Sequence, residues 1–157
     1  MKLYHGGAPG LTPGDHIIPA PNQRAHDGCP ICEARATGRT VTVDGQAIDG
    51  PTGHGDSVYV TTDRLYAKFY ASMAHGDLYT VTADHLEPSD EDPLIPSYRC
   101  PSATVSTVVE RHIQLTDAER RRLWRRMGGT TAEWRTFAAQ MPAVMADVRS
   151  ALQDPAT

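Results

Sequence analysis

A chain of 157 residues with 39% hydrophobic and 22% charged residues fits one ordinary domain, since chains of this size bury roughly 68–70% of their unfolded surface. That composition belongs to a globular rather than a disordered protein, and a net charge of −4 argues against a protein devoted to coating nucleic acid or anionic membrane. Three cysteines suit a reducing compartment better than a disulfide framework. No apolar run approaches the ~18 residues of a membrane span, so the sequence predicts a soluble, cytoplasmic protein with no membrane partner.

Residues 2–5 form a strand candidate that Gly6 and Gly7 are expected to stop. Residues 8–56 are rich in Pro and Gly and read as a lid-like loop region. It holds a possible helical turn at 30–36 and a hairpin at 40–48 built on Asp44-Gly45. Ser57 to Thr61 is a β-branched and aromatic strand. Thr62 or Asp63 then caps a helix to about Met73, with Leu65, Phe69 and Met73 four apart and Gly76 as the stop. Further strands are predicted at 78–82 and 105–109, separated by a stretch, 84–92, in which five of nine residues are carboxylates. Two capping boxes, Thr116 with Glu119 and Thr130 with Glu133, open two helices, the second broken or kinked at Pro142.

The charge balance changes along the chain. Residues 1–109 carry 7 basic and 13 acidic groups, residues 110–157 carry 8 and 6. The expected organisation is an α+β domain over 1–112, containing the lid-like region 8–56, with a helical extension at 113–157 packed on it. The extension's apolar positions, Leu115, Leu123, Trp124, Trp134, Phe137 and Met141, are too many to leave in water and must cover something.

Tyr59 on a strand and Tyr70 on the following helix place two phenol rings on adjacent elements, either as core aromatics or as a slot for a flat ring such as a pyridinium. His5 precedes two glycines, where backbone can approach a ligand closely. Asp90, Glu91 and Asp92 precede Pro93 and form either a solvated acidic loop or a source of a catalytic carboxylate.

This order of an early His, a Tyr pair eleven residues apart and a late acid resembles the ADP-ribosyltransferase superfamily of the His-Tyr-acidic, diphtheria-like type. Shorter pieces are similar to the small bacterial rifamycin ADP-ribosyltransferases: LYHG at 3–6, Gly14-Asp15, VYVTT at 58–62, GDLYTV at 76–81, Glu91-Asp92-Pro93 and PSYRC at 96–100. The resemblance implies a split, mostly antiparallel sheet that binds NAD as a substrate, releases nicotinamide and passes ADP-ribose to an unidentified acceptor. It further implies that His5 holds a ribose, that Gly6 lets the backbone reach the nicotinamide amide, and that Tyr59 and Tyr70 clamp its ring. Asp92 would stabilise the developing oxocarbenium, with Glu91 and Glu87 as the other carboxylates within reach of that role. Two alternatives are an RNA 2′-phosphotransferase-like enzyme, which also uses NAD, and a module that binds NAD or ADP-ribose without turnover.

His26, Cys29 and Cys32 form half of a zinc site, because thiolates two residues apart can share a metal; Cys100 or His54 would have to complete it. A redox-labile thiol pair and plain packing are the competing readings. Six arginines against two acids in 111–126 are either a solvated helix surface or a contact for a phosphate-bearing partner.

Overall fold

The computed structural model describes residues 1–19, 41–43, 46–48, 54–73 and 76–153. They divide into two compact units, one of residues 1–21 and 54–129, the other of 22–53 and 130–157.

The first unit is α+β. Its strands are β1 (Leu3–Gly7), β2 (His16–Ile17), β5 (Val58–Thr61), β6 (Asp77–Thr82), β7 (Glu87–Pro88), β8 (Ser97–Cys100) and β9 (Ala103–Glu110). They form a seven-stranded sheet in the order β2-β9-β6-β1-β5-β8-β7, with every described pairing antiparallel. β1 pairs with β6 from Leu3 to Gly7. Its partnership with β5 is limited to Tyr4 opposite Thr61, so the sheet is weakly joined at that seam. β9 carries an extra residue against β6 at two places, Val109 and Ser106, and each bulge sharpens the local twist.

Alternation of side chains puts Leu3, Val58, Val60, Tyr79, Val81, Cys100 and Val105 into one core on one face of the sheet. On the other face lies helix α1 (Arg64–Met73), whose Ala67 and Ala71 pack on Leu78 and Ile113. Asp63 caps it, accepting from the Tyr66 backbone N–H at 3.0 Å, and Gly76 N–H closes its end on Ala71 O at 2.8 Å.

The expectation that Gly6-Gly7 ends the first strand is corrected: β1 runs through both glycines. A Cβ on Gly6 would lie 1.8 Å from Ala67 O, and one on Gly7 would lie 2.5 Å from His5 Nε2. These glycines admit a helix backbone on one side and an imidazole on the other. Strands β2, β7 and β8 were also beyond the sequence-based expectations, the first two because they are only two residues long.

Helix α2 (Asp117–Arg126) begins on the expected Thr116–Glu119 capping box. Its Leu123, with Leu115 before it, is buried against Leu65 and Tyr66, so the start of the C-terminal region is part of the first unit. Asp63 Oδ2 also receives Arg126 Nη2 at 2.5 Å.

In the second unit, β3 (Val41–Val43) and β4 (Gln46–Ile48) pair antiparallel with Val43 opposite Gln46; the expected turn residues Asp44 and Gly45 lie outside the described residues. Helix α3 (Thr131–Gln153) starts on the expected box, with Glu133 Oε2 accepting from Thr130 N–H at 2.6 Å. It is continuous through Pro142, so of the expected break or kink the break does not occur. Proline removes one backbone hydrogen bond, and helical turns on both sides propagate across that local loss. The turn expected at 30–36 lies outside the described residues. No helix among the described residues is long and apolar enough to cross a membrane.

Candidate functional site

His5, Tyr59 and the acidic loop meet at the seam between β1 and β5. His5 Nδ1 lies 2.9 Å from the Tyr59 carbonyl oxygen. A carbonyl has only lone pairs to offer, so Nδ1 carries the proton. Burial pushes the His5 pKa down, so the ring is neutral near pH 7 and Nε2 is an acceptor. The imidazole therefore bridges two strands whose ladder has stopped, and presents a lone pair beside Gly7.

Tyr59 stands on the opposite sheet face from Val58 and Val60, and its hydroxyl donates to Glu91 Oε1 at 2.9 Å. The Tyr59 phenolic oxygen in turn accepts from the His54 backbone N–H at 3.1 Å. Burial first, then the bond to Glu91, pushes the Tyr59 phenol up to about 12. It is a neutral donor throughout the physiological range.

Tyr70 is reached from α1. Its hydroxyl is 3.2 Å from that of Tyr66, and its ring meets Tyr66 edge-on at 5.1 Å and Phe69 at 5.5 Å. Burial raises both phenols, with the carboxylates of Glu91 and Asp92 adding to the effect. On its own helix Tyr70 therefore contacts Tyr66, which the sequence reading passed over. The signal was present: Tyr66 and Tyr70 are four residues apart on one helix face.

Of the three candidate acids, Asp92 is buried, at 7% exposure. Its Oδ1 accepts from the Leu94 backbone N–H at 2.9 Å, and its carbonyl accepts from Ile95 N–H at 3.4 Å. It shapes the turn that carries the loop back into β8. Glu91 is the carboxylate in contact with Tyr59. Glu87 is exposed on β7 and pairs with Arg99 at 3.5 Å. Gly6 has its side-chain direction closed by α1, so an approach to a ligand would have to use its peptide edges.

Asp77, another residue that sequence reading missed, holds the rim together. Completely buried, it accepts from Gly10 N–H at 2.9 Å, His112 N–H at 2.8 Å, Tyr79 Oη at 3.2 Å and Arg111 Nη1 at 2.7 Å. Burial alone would raise its pKa; the donors outweigh it and hold the carboxyl below the usual value. They anchor the start of the loop after β1, and His112 is kept at φ 52°, a left-handed conformation that costs about 1–2 kcal/mol.

His26, Cys29 and Cys32 lie outside the described residues. Among the described residues no group of three or more His, Cys, Asp or Glu is placed to hold a metal. Cys100 sits in the core with Sγ 3.5 Å from Val58 O, and burial pushes its thiol up. His54 Nε2 lies 3.8 Å from Asp90 Oδ1.

A cleft of about 630 Å³ opens between α1 and α2, lined in part by Asp63, Arg64, Lys68, Glu119, Arg122 and Arg126. It shares no lining residue with the cluster at the seam. Its cations are largely spoken for: Lys68 Nζ reaches Glu119 at 2.9 Å and Glu110 at 3.3 Å, and Arg126 holds Asp63.

No family model matches the chain, and no curated protein matches it.

Proposed function

We propose that the protein is an NAD-dependent ADP-ribosyltransferase that releases nicotinamide and passes ADP-ribose to an acceptor. One observation carries the reading. Residues 5, 59 and 91, far apart in sequence, are joined by two hydrogen bonds, His5 Nδ1 to Tyr59 O and Tyr59 Oη to Glu91 Oε1, in the order in which the sequence resemblance names a histidine, a tyrosine and an acid. The ADP-ribosyltransferase type of sheet is part of this proposal, and the weak β1–β5 seam supports it.

In this reaction the bond between ribose C1′ and the nicotinamide nitrogen breaks, and its electron pair leaves with nicotinamide. Positive charge builds on the ribose, and the acceptor's lone pair then bonds to C1′ as its proton is lost to solvent. The residues present suit the parts. Neutral His5 offers Nε2 as an acceptor for a sugar hydroxyl, and Tyr59, Tyr66 and Tyr70 offer aromatic surface for the departing ring. A carboxylate lowers the energy of the cationic sugar. Glu91 takes that role in this reading because it touches Tyr59, while Asp92 is committed to the turn behind it.

The test is release of nicotinamide from NAD by the full chain, with and without a broad acceptor panel. Release above the uncatalysed rate supports the enzyme. NAD binding without release marks a binding module, and absence of both at millimolar NAD overturns the reading.

A further inference from the structure

Across β7, β8 and β5, three side chains stand in one row: Glu87 is the register partner of Arg99, and Arg99 that of Tyr59. Ser97, two residues before Arg99, is opposite Thr61 and lies on the same face, away from the Tyr98 and Cys100 side. Two polar atoms here, Ser97 Oγ and Arg99 Nε, are buried without a hydrogen-bond partner among the described residues. Ser97 as a whole is 7% exposed. The neighbouring Thr61 hydroxyl, by contrast, is used, donating to Pro96 O at 2.6 Å.

The N–H groups on Nε and Nη2 of a guanidinium point the same way and match two oxygens of one oxyanion. Glu87 uses only half of that edge, touching Nη2 at 3.5 Å with its own side chain 74% exposed, while Arg99 is 24% exposed. Such a long, solvent-facing pair is weak and easily exchanged. A carboxylate would be fully used by the arginine edge. A phosphate keeps further oxygens free, and one of them can turn toward the hydroxyl of Ser97, whose backbone lies roughly 6.6–6.8 Å along the strand from that of Arg99.

We propose that the Nε/Nη2 edge of Arg99, with the Ser97 hydroxyl beside it, is an oxyanion subsite that takes a phosphate of a dinucleotide's diphosphate. Glu87 is the counter-ion that yields to it. The assignment of the diphosphate to NAD rests on the function proposed above; the affinity for a phosphate oxyanion does not.

Binding of NAD, ADP-ribose, inorganic diphosphate and nicotinamide to the full chain, measured by calorimetry at low salt, tests this. Arg99→Lys keeps the charge and removes the fork, and should weaken the three diphosphate ligands about 10–100-fold while leaving nicotinamide unchanged. Glu87→Gln, on an exposed position, should tighten the same three ligands severalfold. Equal loss of nicotinamide and ADP-ribose affinity in Arg99→Lys, or no gain in Glu87→Gln, overturns the subsite. If the native chain binds neither NAD nor nicotinamide, the function reading fails alone. Inorganic diphosphate still decides the subsite: binding that Arg99→Lys weakens supports it, and no binding overturns it.

Discussion

Tyr59 donates its phenolic proton to Glu91 at 2.9 Å, tying the strand at the centre of the cluster to the acidic loop. That bond singles out Glu91 among the three carboxylates the sequence offered. Glu91→Gln keeps the shape and removes the charge, so nicotinamide release should fall about 10²–10³-fold with little change in NAD affinity, the usual loss for one electrostatic stabiliser. Asp92→Asn should lower stability more than turnover. The reverse pattern, with kcat collapsing only in Asp92→Asn, would return the role to Asp92.

Tyr70→Ala removes a ring that touches Tyr66 and Phe69. NAD should bind about 1–2 kcal/mol more weakly through lost stacking. Tyr70→Phe keeps the ring and should bind nearly as the native chain does. A titration of both variants separates ring from hydroxyl, and equal losses would deny the stacking role.

His5 gives stability a pH slope of predictable sign. Its folded pKa is lowered by burial from 6.5, so the unfolded chain binds the extra proton first. Its contribution is fully present above about pH 6.5 and is lost as pH falls from there toward the folded value. Chemical unfolding from pH 8 to 5 should show this decline, and His5→Gln should flatten it. An unchanged slope in the variant would place the titration elsewhere.

Asp77→Asn leaves four donors facing an amide that cannot satisfy them all. Loss of a buried, charged hub of this kind should cost about 3–5 kcal/mol. In the native chain its lowered pKa means that its contribution persists above about 3.8 and disappears as pH falls below that, toward the folded value. Thermal melting at pH 7 checks the first expectation. A loss under about 1 kcal/mol would show that the donors find other partners.

Gly6→Ala and Gly76→Ala test the close backbone approaches. Their Cβ atoms would lie 1.8 Å from Ala67 O and 1.7 Å from Gly7 O, distances no side chain survives without backbone movement. Each should destabilise by more than about 3 kcal/mol or abolish soluble expression. Gly10→Ala is the control for positive φ alone: it meets nothing within 4 Å and carries only the strain of φ 92°.

Local chemistry was legible in the sequence. The two capping boxes, a helix cap at Thr62 or Asp63, the strand at Val58–Thr61 and the helix after it follow from short-range rules of spacing and side-chain type, and so does the pairing of Val43 with Gln46. The His, Tyr and acidic candidates could likewise be nominated from their residue types. Which carboxylate touches Tyr59 could not, because neighbours 91 and 92 in a loop differ only in the direction each takes once the turn forms, and Leu94 N–H claims Asp92. Burial is equally a tertiary outcome. Asp77 became a hub because donors from positions 10, 79, 111 and 112 converge on it. The continuation of β1 through Gly6 and Gly7 was decided by α1 and the His5 ring pressing on opposite sides. Propensity reads each glycine as a stop, but a helix that can approach only a strand without Cβ atoms turns the same residue into a requirement.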